Sequence, residues 1–193
     1  MLAHRSLAGV EKKARKDRLT ILFIDESGFY LLPGMVRTYA PRAQTPIIKT
    51  LLSYAHLSVM SGITMDGHLL TLTRKRALTS LDSVRFLKHV KYQRQSKLLV
   101  VWDGSPIHRK EVTRFMADGG ARYIHLEQLP AYAPELNPAE GVWQHLKHVE
   151  LRNVCCKDLS HLGRELNLAM MRLRSKPHVI RSFFAGAGLS IKT

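Results

Sequence analysis

The sequence predicts an α/β domain on a mixed sheet, with three antiparallel strands first, then alternating helices and strands, and helices at the C-terminal end. Three observations predict it. Two continuous apolar runs, Leu19 to Ile24 and Leu98 to Trp102, each end in an aspartate, Asp25 and Asp103. Runs of that length bounded by turn-formers read as strands buried on both faces. Asp66 and Gly67 separate Leu57 to Thr64 from Leu69 to Thr73, and Asp-Gly is a favoured turn pair of an antiparallel hairpin. After Thr79, the residues Leu81, Val84, Leu87 and Val90 recur at helical spacing.

Taken in order, Leu19 to Ile24 opens the sheet. The stretch that follows is loop-rich through Arg42 to Pro46, with a short strand expected around Val36 to Tyr39. The hairpin around Asp66-Gly67 then completes the antiparallel part. Thr79 with Asp82 three residues later forms a capping-box pattern at the start of a helix, which leads into the strand ending at Asp103. Arg109 to Asp118 reads as a helix stopped by Gly119 and Gly120, and Tyr123 to Leu129 as a strand before a Pro-rich loop. The last third, with Leu159, Leu162, Leu166, Met170 and Leu173, is expected to be helical until Pro177 and to pack into the core. No linker, low-complexity tract or repeat interrupts the 193 residues, so residues 1–193 are expected to form one domain with a full core. This order is that of a ribonuclease H-like domain. In that fold the first and fourth strands lie side by side, so Asp25 and Asp103 are expected to meet at adjacent strand ends.

Charged residues that end central strands sit where α/β sheets bind ligands, although Asp before Ser or Gly also simply starts loops. Glu140 has a competing local reading. Asn137, Pro138, Ala139 and Glu140 fit N-cap, N1, N2 and N3 of a helix, which makes Glu140 a capping-box carboxylate. At 3.6 residues per turn, however, Ala139, Val142, Trp143, Leu146 and Val149 form one apolar stripe with Glu140 at its edge beside Lys147. From there Glu140 can point along the carboxyl edge of the sheet toward the two aspartates. Glu135 in the preceding loop competes with Glu140, and Glu26 competes with Asp25, although alternation sends Glu26 to the opposite side of its strand. Three carboxylates that repel one another are stable together only with cations between them. Hard oxygen donors beside phosphate select Mg²⁺, with Mn²⁺ as the substitute.

Lys and Arg number 30 against 15 acids, a formal charge of +15 with a pI near 10.2. A surplus of that size points to a polyanionic partner, and its clustering favours a nucleic-acid track over an even sprinkle. Arg74 to Lys97 holds eight bases and one acid, the first 18 residues six bases and two acids, and the chain after Glu140 nine bases and three acids. Arg74, Lys75, Arg76, Lys88 and Lys91 are the candidate DNA contacts. His108, five residues after Asp103, and Lys147, on the helix face of Glu140, are candidates to hold phosphates near the acids. The two cysteines, Cys155 and Cys156, are adjacent and supply neither a metal spacing nor a disulfide framework. A reducing cytoplasm with nucleoid association is the expected compartment. No apolar stretch approaches the length a membrane helix needs.

The segments DESGFYLLP (25–33), RTYAPRAQTP (37–46), VVWDGSPIH (100–108), LPAYAPELNPAEGVWQHLK (129–147) and ELRNVCCKDL (150–159) resemble bacterial transposases of the insertion-sequence 630 family, relatives of mariner elements. PELNPAE with its following Trp is the most specific of them. The resemblance implies a DDE endonuclease domain in which Asp25, Asp103 and Glu140 are the three acids and hold two Mg²⁺ ions. It implies nicking of DNA at the element's ends and joining of the freed 3′ hydroxyl to target DNA by a homodimer. The interval of 36 residues between Asp103 and Glu140 is slightly longer than the family usually shows. Family members normally carry an N-terminal helix-turn-helix region that is expected to be absent here, which leaves three readings open: the second of two reading frames, with a separate upstream-frame helix-turn-helix protein as partner, an alternative start, or a truncated remnant. Two other readings fit the same residues: a catalytically silent DNA-binding remnant, and a ribonuclease H-like nuclease or resolvase that never joins ends.

Overall fold

The first strand continues past its apolar run, because its hydrogen bonding to a neighbour continues. In a computed structural model that describes residues 2–32, 34, 36–37, 39–44, 47, 53–130 and 133–189, β1 spans Thr20–Tyr30. It pairs antiparallel with β2 (His56–Thr64) from Leu22 opposite Thr64 to Tyr30 opposite His56. β3 (Leu69–Arg74) returns antiparallel along β2, after a turn in which Gly67 takes φ +89°. On its other side β1 pairs parallel with β4 (Leu98–Trp102), and β4 with β5 (Ile124–Gln128). The sheet order is β3-β2-β1-β4-β5. The fold is α/β with a mixed sheet, as the strand pattern predicts.

One consequence of the register positions the site. Parallel pairing of β1 with β4 ends at Phe23 opposite Val101. Beyond that pair the two strands no longer bond, and a crevice opens at their carboxyl ends, where α/β sheets take ligands.

Alternation along β1 divides the core into two layers. Ile21 and Phe23 face one cluster, with Leu7, Val10 and Ala14 of α1 (Leu2–Asp17) and Val142 and Trp143 of α4 (Glu140–His145). The same layer holds Leu166 and Met170 of α5 (Leu159–Arg174), and Ile180 and Phe184 of α6 (Pro177–Gly186). Leu22 and Ile24 face the other cluster, with Val84, Leu87 and Val90 of α2 (Ser80–Arg94) and Val112 of α3 (Lys110–Ala117). Burial of side chains such as Phe23 and Leu87, which are fully enclosed, contributes roughly 1.5–3 kcal/mol each before ordering costs. The capping box is present: Thr79 N–H and Oγ1–H both donate to Asp82 Oδ2, at 3.0 and 2.9 Å.

Several expectations are corrected. Val36, Arg37 and Tyr39 form no strand, while Thr38 lies outside the described residues, as do Thr45 and Pro46 of the loop. The backbone of Val36 is engaged instead by one side chain: its N–H donates to Asn153 Oδ1 at 2.9 Å, and Asn153 Nδ2 donates to its carbonyl at 3.1 Å. Val149 leaves the buried stripe and is exposed, because α4 passes into a π-turn over Leu146–Glu150 that shifts the helical phase. Leu81 is exposed as well, and Phe86 supplies the buried face of α2. Pro177 does not end the helical region but starts α6 at its first turn. The N-terminal helix α1 was not expected, although Leu7, Val10 and Ala14 carry its spacing. No described helix is long and apolar enough to cross a membrane.

Candidate active site

Asp25 stands two residues past the last β1–β4 pair, on the face of β1 that carries Phe23. Trp143 reaches it from α4 and donates its indole N–H to Asp25 Oδ2 at 2.7 Å. The indole is held in turn by an edge-on contact with Phe29, at 6.0 Å between ring centroids. Burial pushes the Asp25 carboxyl up to about 7, against the Trp143 hydrogen bond, and the neighbouring charges of Glu140 and Glu26 push the same way.

Asp103 follows the last residue of β4, and the Ser105 N–H donates to its Oδ1 at 2.9 Å. Glu140 begins α4. Its carboxylate is not spent on capping, because the Asn137 N–H that a capping box would use donates to the Pro134 carbonyl at 2.9 Å. Asn137 is not the N-cap either, since α4 begins after Ala139, and its Oδ1 accepts from Ala139 N at 3.1 Å in the turn before the helix. Asp25, Asp103 and Glu140 therefore line one cleft of about 430 Å³, together with Ser105, Pro134 and Asn137. Glu26 and Glu135 do not line it.

Electrostatics set this cleft apart. Asp82 is enclosed by Arg74 and Arg76, at 3.0 and 2.7 Å, and Glu150 by Arg172 and Lys176. For both, burial would raise the carboxyl, but the basic partners prevail and hold it below the usual range. Among the described residues no Lys or Arg forms an ion pair with Asp25, Asp103 or Glu140, and none lines the cleft. In a chain of +15, the three acids are left to a cation from outside. Oxygen-only donors and a carboxyl raised by burial, and further by its acidic neighbours, suit a hard divalent ion.

Residues 20–162 match the DDE superfamily endonucleases. The chain belongs to that family. No curated protein matches it in sequence. Among solved structures, this DDE endonuclease chain is similar to the Mos1 strand transfer complex, with a TM-score of 0.61, 16% identity and coverage of 98% of this chain and 61% of that one. It is similar also to the mariner Mos1 paired end complex with Mg, with a TM-score of 0.61, 15% identity and coverage of 98% and 62%. The catalytic domain of Mos1 mariner transposase matches with a TM-score of 0.51 and 16% identity, covering 98% of this chain and 93% of that domain. The sheet and its flanking helices are those of the ribonuclease H-like Mos1 catalytic domain. The chain spans about three-fifths of the full Mos1 chains in those complexes.

The basic residues singled out in the sequence are distributed differently from the acids. Arg74 and Arg76 are engaged with Asp82, whereas Lys75 is exposed beside them. Lys88 lies over the Phe115 ring and Lys91 over Tyr123, at the rim of a groove of about 600 Å³ that also takes in Arg122. Lys147 donates to Ser27 Oγ at 2.7 Å and lies over Phe29, and it does not line the acidic cleft. His108 is no surface residue: its side chain is 4% exposed and stacks on Trp102 with 4.0 Å between ring centroids. Trp143 was missed as a site residue. Its signals in the sequence were its place three positions after Glu140 on one helix face and its position just after PELNPAE.

Proposed function

We propose that the cleft of Asp25, Asp103 and Glu140 catalyses metal-dependent cleavage of DNA at transposon ends and transfer of the 3′ hydroxyl to target DNA. One observation carries the reading: three carboxylates, Asp25 from mid-β1 beyond its pairing with β4, Asp103 just after β4 and Glu140 at the start of α4, converge on one cleft that among the described residues is lined by no basic side chain. The three acids would hold Mg²⁺ or Mn²⁺, which when bound activates the attacking oxygen and stabilises the leaving 3′ oxygen. The chain's own residues supply the placement. Trp143 fixes one oxygen of Asp25, and the Ser105 amide fixes one oxygen of Asp103. The exposed Lys75 and Lys88, with the half-buried Lys91, draw in the phosphate backbone. The DNA in the Mos1 complexes supports the same partner for this chain, acting as a dimer on DNA with end recognition supplied by a helix-turn-helix partner.

The test uses supercoiled plasmid carrying the element's ends. Wild-type chain with Mg²⁺ is expected to nick the ends and give joined products, while Asp103→Asn and Glu140→Gln lose both activities and keep salt-sensitive binding. Full nicking by both variants would sink the assignment. Nicks without joined products would favour a nuclease that never transfers strands.

A further inference from the structure

We propose that Glu26, Asp103 and His108 form a second cation site, of mixed nitrogen and oxygen donors, that takes a transition-metal dication such as Mn²⁺ or Zn²⁺. Glu26 stands on the face of β1 opposite Asp25, and His108 lies in the short turn that follows Asp103. His108 Nε2 is 3.3 Å from Glu26 Oε1 and 3.3 Å from Asp103 Oδ1. One donor atom from each of the three residues lies within 4.8 Å of the others.

Hydrogen bonding leaves the Glu26 and His108 atoms unsatisfied, while Asp103 Oδ1 accepts from the Ser105 N–H. Among the described residues, Nε2 and Nδ1 of His108 and Oε1 of Glu26 are buried and have no hydrogen-bond partner. A ring nitrogen that close to two carboxylate oxygens, yet bonded to neither, has its axis aimed at neither. An ion about 2.1 Å from Nε2 and from each oxygen would see the 3.3 Å separations as angles of about 105°, within the range of tetrahedral and octahedral coordination. The ring is held for this role by its stacking on Trp102. An imidazole donor selects Mn²⁺ or Zn²⁺ over Mg²⁺, which prefers oxygen.

Asp103 is common to this site and to the cleft, so occupation of one affects the other. The inference does not rest on the catalytic reading, because it needs neither Asp25 nor Glu140. It is tested with Mn²⁺ bound to the metal-free full chain and read by pulsed electron paramagnetic resonance. Wild type and Glu140→Gln are expected to show coupling of Mn²⁺ to an imidazole nitrogen. His108→Gln is expected to lose that coupling, and Glu26→Gln to weaken the nitrogen-coupled site at least tenfold while keeping the imidazole. Equimolar Zn²⁺ is expected to displace the coupled Mn²⁺, and a tenfold excess of Mg²⁺ is not. Circular dichroism and melting of each variant confirm that it is folded. No nitrogen coupling in the wild type, or coupling that survives in folded His108→Gln, overturns the site. A failure of plasmid nicking with the coupling intact would count against the cleft alone.

Discussion

Trp143 and Asp25 make the contact on which the cleft's chemistry turns at the scale of single residues. The indole N–H is the one side-chain hydrogen bond that opposes the rise of the Asp25 carboxyl. Trp143→Phe keeps an aromatic ring against Phe29 and removes that N–H. A hydrogen bond to a charged group is worth roughly 1.5–3 kcal/mol, so the Mg²⁺ needed for half-maximal nicking at pH 7 is expected to rise about tenfold or more. A second prediction follows from the direction of the shift. With the folded carboxyl at about 7 and its ordinary value 3.8, the unfolded chain ionises first as pH rises. The contribution of Asp25 to metal-free stability is therefore greatest below about 4, falls through the interval, and levels off above 7, by at most about 4 kcal/mol. Asp25→Asn should flatten that fall in urea unfolding measured from pH 5 to pH 8, and an unchanged slope would contradict it. Glu140 shows how far a sequence carries at this scale. Its surroundings suited both a cap and a cleft carboxylate, and the choice depends on Asn137 N–H bonding to Pro134, a loop detail with no periodic signal.

Elements were legible where their local chemistry was self-contained. Thr79 and Asp82 read as a cap and form one, and Asp82 adds Arg74, Arg76 and Arg85 from outside the helix start. Asp82→Ala removes the cap and the ion pairs together, and should cost about 2–3 kcal/mol in denaturant unfolding. Because hydrogen bonds from its basic partners outweigh burial and hold the Asp82 carboxyl low, that contribution is present above about pH 4 and fades as acid protonates the group. The Asp66-Gly67 turn was legible for the same reason, yet part of its constraint is tertiary. A Cβ at Gly67 would lie 2.7 Å from the Pro177 carbonyl oxygen of α6, at φ +89°. Gly67→Ala is expected to destabilise by about 1–3 kcal/mol; a neutral melting temperature would show that the turn and α6 are not tightly packed. The π-turn after α4 was not legible, since Val149 has the spacing of a buried residue and is turned outward by one extra residue per turn.

At the scale of the whole molecule, the element order was readable because Asp66-Gly67 marks the hairpin and helical spacing separates β3 from β4, whereas the adjacency of β1 and β4 was expected only from the ribonuclease H-like order. The two-layer core follows from alternation along β1, which also sends Asp25 and Glu26 to different surroundings. Arg74 and Arg76 pair with Asp82, and Lys88 and Lys91 lie over aromatic rings at an open groove. If those two lysines meet phosphates, Lys88→Ala with Lys91→Ala should lower the slope of log affinity against log salt by about 2. The most direct measurement compares plasmid nicking rates in Mg²⁺ for Glu140→Gln and Glu135→Gln, whose carboxylates lie in adjoining elements but only one of which lines the cleft. Loss of nicking by at least a thousandfold in Glu140→Gln, with Glu135→Gln at the wild-type rate, is the predicted result. Equal rates in both variants would contradict it.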